Sequence, residues 1–297
     1  MTPSRVRRQI KFWRRDAGCS TIGPMRTQAQ KAAHFLALHH GSGPLLLPNP
    51  WDLGSAKVLA SLGFEALATT SGGFAGTLGR LDGAVTREEA IQHAAALAAG
   101  VDLPVSADLE NGFAHPPEGV AETLRMAIGA GLAGCSVEDF GPGLDDPIYP
   151  LGLAQERVAA AVEVAHGGDF HFVLTARAEN YLHGRPDLAD TIARLQAYQE
   201  AGADVLYAPA LTRIEDIKAV VSSVDRPVNV LALPTVPPVS DLAGVGVARI
   251  SIGSGFARVS LAALVDAGNE LLTAGTYGFT AAAGRGAEAA RRAFVPG

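Results

Sequence analysis

Pro104-Val105-Ser106-Ala107-Asp108-Leu109-Glu110 is a short apolar run that ends in two carboxylates, and Gly134-Cys135-Ser136-Val137-Glu138-Asp139-Phe140 repeats the form. A third run, 170–177, ends in a cation, Arg177. Runs of this length bounded by turn residues read as strands buried on both faces. Charges at the carboxyl ends of successive strands gather at one mouth if the strands are parallel and their sheet closes into a ring.

Outward from these three, further apolar runs fall at 45–49, 66–71, 204–209, 227–233 and 248–253, which makes eight. Helical patterns at 86–99, 118–130, 154–166, 187–201 and 214–221 separate them. This alternation requires parallel strands with right-handed crossovers. Leu62-Gly63-Phe64, Ala130-Gly131-Leu132, Ala201-Gly202-Ala203 and Val245-Gly246-Val247 each precede a strand, where glycine can close a helix in the left-handed conformation. The count predicts a (β/α)8 TIM-type barrel over 25–297 rather than a doubly wound open sheet. The helical pattern at 258–272 and the Gly/Ala-rich tail exceed eight units. They are expected to form an extra C-terminal helix that packs on a neighbouring subunit of a homo-oligomer, a dimer or a tetramer.

The chain has 297 residues, 48% hydrophobic and 18% charged, enough for one large core. Its net charge of -6 argues against nucleic acid as a partner, and no apolar run reaches the roughly 18 residues of a membrane span. Cys19 and Cys135 are the only cysteines, which fits a reducing compartment, the cytoplasm. Residues 1–24 differ from the rest. Arg5, Arg7, Arg8, Lys11, Arg14 and Arg15 face one acid, Asp16, and the segment is expected to be a disordered basic extension ahead of Met25.

Period-two alternation sets Ser106, Asp108 and Glu110 on one face, Ser136 and Glu138 on one face, and Val173, Thr175 and Arg177 on one face. Cys135 and Asp139 then turn toward the helices, and Cys135 is expected to be a small buried thiol. Several carboxylates at one mouth repel unless a cation lies among them, and oxygen donors suit Mg²⁺, with Mn²⁺ as the alternative. Such an ion takes one or two carboxylates and leaves positions for two oxygens of a substrate, as in a 2-oxo acid or its enolate. Arg177 is placed to hold a substrate carboxylate. The competing reading is an ordinary ion-pair ring that closes the barrel. The four lysines, Lys11, Lys31, Lys57 and Lys218, all lie in the tail or in helical patterns, which excludes a Schiff base. The eight histidines show no metal-ligand spacing, and His115 and His183 alone follow catalytic-end strands. Ile252-Gly253-Ser254-Gly255, after the eighth strand, is a weak candidate phosphate turn.

Taken together, the motifs over 44–272 resemble the isocitrate lyase and phosphoenolpyruvate mutase superfamily, including its 2-methylisocitrate lyase and carboxyvinyl-carboxyphosphonate phosphorylmutase branches. The matching residues are Thr70-Ser71-Gly72-Gly73, Leu81-Asp82-Gly83, the run from Ser106 to Phe113, Val137-Glu138-Asp139 and Thr175-Ala176-Arg177. The resemblance implies metal positions at Asp108, Glu110, Glu138 and Asp82, substrate contacts from Ser71, Gly72, Gly73, Arg177 and Asn180, and catalytic roles for Arg177, Glu138 and Ser71. It implies a Mg²⁺-dependent lyase that makes or breaks a C–C bond of a small 2-oxo or 2-hydroxy carboxylate through a metal-held enolate. A P–C mutase or hydrolase acting on a phosphonate, and a carboxylate-binding barrel without catalysis, are the alternatives. Two departures stand out. Asn111 is inserted between Glu110 and Gly112, and the loop at 140–150 lacks the Lys-Lys-Cys-Gly-His of the lyases. That leaves the proton donor open among Asp145, Asp146, Tyr149 and Tyr207, whose bland readings are a surface turn and packed aromatics.

Overall fold

All eight strands form, each shorter than its apolar run. The computed structural model describes residues 25–294, so the basic segment 1–24, Cys19 included, lies outside the described residues. The strands are β1 (Leu45–Leu47), β2 (Leu67–Ala68), β3 (Val105–Asp108), β4 (Gly134–Glu138), β5 (Val173–Arg177), β6 (Val205–Tyr207), β7 (Val228–Leu231) and β8 (Arg249–Ser251). Every ladder is parallel, in the order β1-β8-β7-β6-β5-β4-β3-β2. The seam between β1 and β2 carries one backbone bond, from Ala68 N–H to the Pro48 carbonyl at 3.1 Å, so the barrel is nearly closed. Asn49 reinforces the seam. Its amide donates to the Thr69 carbonyl (2.9 Å), and its Oδ1 accepts from the N–H groups of Ile252 and Gly253 (both 2.9 Å).

The helices are α1 (Gln28–Leu38), α2 (Leu53–Ser61), α3 (Ser71–Thr77), α4 (Arg87–Gly100), α5 (Pro117–Gly129), α6 (Leu151–His166), α7 (Leu188–Glu200), α8 (Ile214–Ser222), α9 (Val239–Gly244), α10 (Gly255–Thr273) and α11 (Thr280–Ala293). Starts follow capping chemistry. Thr27 with Gln30 and Thr86 with Glu89 form reciprocal capping boxes on α1 and α4. Ser71, expected at a strand end, instead opens α3, because Thr70 takes the cap position. The Gly/Ala-rich tail forms α11, which packs on α2, with Phe294 beside Gly54.

Two apolar cores follow from the alternation. The larger lies between strands and helices and holds Leu67, Ala107, Cys135, Val137, Leu174, Leu206 and Ile250. Cys135 is fully buried there, as expected, and burial pushes its thiol far up. The smaller fills the lower interior, where Phe35 and Ala32 of α1 cover Leu45, Leu47, Val173 and Val205. Above it the interior turns polar. Arg249 donates to Asn229 Oδ1 (2.9 Å) and Thr175 Oγ1 (3.1 Å) and lies 3.2 Å from Nε2 of His39, whose Nδ1 bonds the Phe35 carbonyl. Burial, and then Arg249, push the His39 imidazole down to about 3, so it sits neutral beneath the guanidinium. Among the described residues, no helix is long and apolar enough to cross a membrane.

Candidate active site

At the upper end of the barrel Arg177 binds three carboxylates at once. Its Nη1 donates to Asp108 Oδ1 (2.9 Å), its Nη2 lies 2.9 Å from Glu138 Oε2, and its Nε donates to Glu179 Oε1 (2.8 Å). The guanidinium also stands 5.3 Å from the centre of the Tyr207 ring at the end of β6. The register explains the meeting, since β4 and β5 pair Glu138 with Arg177 and β5 and β6 pair Arg177 with Tyr207. Burial pulls the guanidinium down, but Glu138, Glu179 and Asp108 outweigh it and hold it well above its ordinary value. Burial raises Glu138 and Glu179 against the opposing pull of Arg177. Burial lifts the Tyr207 phenol to about 12, against the opposing pull of Arg177.

Asp108 is held from the opposite side. Its Oδ2 accepts the Ser71 N–H (3.1 Å), and its own N–H donates to Thr69 Oγ1 (2.9 Å). Glu110 follows with φ +49°, and Gly112 and Phe113 are also left-handed, at +76° and +54°. A non-glycine residue in that region costs about 1–3 kcal/mol and is kept only where its surroundings enforce it. Here Asn111 enforces it, its Oδ1 accepting from Phe113 N–H (3.0 Å) and its Nδ2 donating to the Tyr149 hydroxyl (3.2 Å). The inserted residue thus turns Glu110 into a depression it shares with Ser71, Asp108 and His93. Burial, then the charges of Asp108 and Asp82, push the Glu110 carboxyl up to about 7. An outer cleft of about 430 Å³, lined by Glu110, Phe113, His115, Arg87 and Pro142, opens beside it. Gly72 closes the inner wall. A Cβ there would lie 2.9 Å from both Asp82 Oδ2 and Ser254 Oγ.

Some expected residues are employed elsewhere. Asn180 is fully buried, its Nδ2 donating to the carbonyls of Arg185 and Asp187 and its Oδ1 accepting from the Thr191 hydroxyl, so it braces the 178–187 loop. The N–H groups of Ile252 and Gly253 are taken by Asn49, which removes two of the backbone donors that the turn after β8 could offer a phosphate. Loop 140–150 folds on itself through a Phe140–Ile148 bridge and is tied across by the Asp146–Arg185 pair (2.7 Å) and by Phe140 stacked on His183 (3.8 Å). Asp145 and Asp146 are exposed; Tyr149 is buried, with its hydroxyl 2.6 Å from His115 Nδ1 and Arg157 over its ring. Asp139 lies outside the barrel wall, bonded to Arg194 (3.0 Å), Tyr198 (2.5 Å) and the Glu179 N–H (2.8 Å).

Glu179 was not foreseen from the sequence, although Arg177-Ala178-Glu179 keeps the spacing of two that puts both side chains on one face. Its Oε2 is buried without a hydrogen-bond partner, 3.9 Å from His183 Nε2. An orphaned carboxylate oxygen and a surplus of acids over one guanidinium fit a hard cation with oxygen ligands. Among the described residues the rim acids are not drawn together as a three-ligand group.

A family model, phosphoenolpyruvate phosphomutase, matches residues 35–272. An uncharacterised protein of Mycobacterium tuberculosis is 34% identical over 222 residues, 74% of this chain and 81% of that one. The 2-methylisocitrate lyase of Escherichia coli is 29% identical over 202 residues, 65% of this chain and 67% of its own. A crystal structure from Burkholderia cenocepacia J2315, provisionally described as a lyase/mutase, superposes with a TM-score of 0.86 at 50% identity, covering 89% of this chain and 96% of that one. With its eight-stranded parallel barrel and charged rim, the chain belongs to the phosphoenolpyruvate phosphomutase family, a family of lyase and mutase enzymes.

Proposed function

We propose that this protein is a Mg²⁺-dependent C–C lyase acting on a small 2-hydroxy or 2-oxo carboxylate. The observation that carries the reading is Arg177 joined to Asp108, Glu138 and Glu179 at the barrel mouth. Asp108 and Glu110 would hold the ion, with Asp82 and Glu138 around its waters. When bound, Mg²⁺ supplies Lewis-acid polarisation of paired substrate oxygens. In such a cleavage the 2-hydroxyl loses its proton, the adjacent C–C bond breaks to leave a 2-oxo acid, and the electron pair stays on the departing fragment as an enolate until protonated. Arg177 neutralises the carboxylate of the 2-oxo fragment, and Ser71, Gly72 and Gly73 seat the anionic end. The proton does not come from a loop thiol. Cys135, the one cysteine among the described residues, is sealed in the outer core.

Calorimetry with oxalate, an enolate mimic, tests the site. Binding is expected only with Mg²⁺ and is expected to vanish in Asp108→Ala; chelator-insensitive binding would overturn the metal role. A screen of 2-oxo and 2-hydroxy diacids tests the reaction, and turnover confined to phosphonates would replace the C–C reading with P–C chemistry.

The oligomer belongs to the same proposal. On α10, Val259, Leu261, Leu264, Val265 and Leu272 are more than half exposed. An exposed apolar surface of that length, about 20 Å at 1.5 Å per residue, is suited to a second subunit.

A further inference from the structure

At the opposite end of the barrel, away from the acids, two histidines converge on one carboxylate. His166 is the last residue of α6, His171 lies just before β5, and Asp204 lies just before β6. His166 Nε2 is 3.1 Å from Asp204 Oδ2, and His171 Nε2 is 2.7 Å from Asp204 Oδ1. The imidazoles stack with centroids 4.0 Å apart. His166 and His171 flank the four-residue turn 167–170, and the β5–β6 pairing brings Asp204, a distant residue in sequence, against both of them.

We infer that His166, His171 and Asp204 form a three-ligand site for Zn²⁺ or a similar borderline transition metal. One donor atom from each lies within 4.8 Å of the other two, and among the described residues no other group of His, Cys, Asp or Glu is so placed. Two imidazoles and a carboxylate suit Zn²⁺ and disfavour Mg²⁺, which prefers oxygen. The carboxylate is fixed in advance. It is buried, and its Oδ2 also accepts the Leu174 N–H at 2.8 Å, the kind of outer bond that orients a metal ligand. His171 is 40% exposed, so an ion can enter from solvent and keep a water as its fourth ligand. With the ion on Nε2, each ring carries its proton on Nδ1. The ion would tie the turn at 167–170 to the start of β6. This places a structural metal on the stability face of the barrel, independent of the chemistry at the mouth.

The test is Zn²⁺ titration of the chelator-stripped full-length protein in excess Mg²⁺, paired with Co²⁺ absorption spectroscopy. Wild type is expected to bind one Zn²⁺ per chain and to give visible Co²⁺ bands of a nitrogen-containing site. His171→Ala, at an exposed ring, is expected to weaken binding more than about tenfold and remove the bands. His166→Ala should do the same. Asp108→Ala should change neither, and His171→Ala should retain any Mg²⁺-dependent activity. Absence of Zn²⁺ binding at micromolar concentration would overturn the site and leave a purely hydrogen-bonded His–Asp–His cluster. Binding lost in Asp108→Ala but kept in His171→Ala would overturn it by moving the ion to the acidic rim.

Discussion

Arg177 and Glu179 stand two residues apart at the end of β5, joined at 2.8 Å, and the bond engages only one of the two oxygens of Glu179. The other oxygen is buried and unpartnered, so its desolvation is uncompensated in the free protein. Glu179→Gln keeps an acceptor for Arg177 while removing one of three negative charges. Chemical denaturation is expected to show a stability change below about 1 kcal/mol, with turnover reduced about 10–100-fold. A loss of several kcal/mol with normal turnover would make Glu179 a scaffold residue only.

Gly72 is the second sensitive point. The methyl of Gly72→Ala would meet Asp82 Oδ2 and Ser254 Oγ at 2.9 Å, closer than real Cβ contacts allow. Asp82 is exposed and can swing away, whereas Ser254 is bonded to Thr70 at 2.8 Å. The expected result is a fold that melts normally but binds Mg²⁺ and oxalate at least about tenfold more weakly, roughly 1.4 kcal/mol. Unchanged calorimetry would remove Asp82 from the metal shell.

The Glu110 carboxyl, pushed up to about 7, gives metal binding a pH signature. Below pH 7 a proton competes for the ligand, so Mg²⁺ affinity is expected to fall about tenfold from pH 8 to pH 6. Without metal the sign of the stability effect is opposite to that of a salt-bridged acid. The folded pKa lies above the unfolded one, so the cost of the charge is present above pH 7 and is relieved as pH falls through it. Melting curves at pH 6 and pH 8 with and without Mg²⁺ check this, the larger Mg²⁺-induced rise being expected at pH 8. Glu110→Gln should abolish the difference.

His39 has the reverse linkage. Its folded pKa, about 3, lies below the ordinary 6.5, so the unfolded chain takes up a proton the folded one refuses. Its stability contribution is complete above pH 6.5 and is lost as pH falls below that value, by up to about 1.4 kcal/mol per unit. Denaturation of His39→Gln between pH 6.5 and 4.5, with Mg²⁺ present, is expected to show a shallower acid loss than wild type. An identical slope would show that His39 does not titrate there.

The barrel was legible because eight short, mostly apolar runs alternate with helical patterns, and the rim was legible because three of those runs end in charge and alternation orders Asp108, Glu138 and Arg177 without tertiary knowledge. What could not be read depends on contacts between distant segments. Asn49 spends the amides of Ile252 and Gly253 on the seam, which no local pattern reveals. Asn180 carries the right chemistry for a substrate contact, and its amide is also bonded to the carbonyls of Arg185 and Asp187 and to Thr191 of α7, contacts that no local pattern announces. The positive φ of Glu110 arises from one inserted residue whose partner, Tyr149, lies in the following β/α unit.

The single backbone bond between β1 and β2 gives the cylinder a weak line that the other seven junctions lack. Thermal breathing should therefore part the wall there first, and Ala68 should exchange its amide hydrogen sooner than its counterparts in the middle of β4 and β5. Because Thr69, Thr70 and Ser71 follow directly, that parting would loosen the grip on Asp108, so the mouth inherits its mobility from the place where the two ends of the sheet meet.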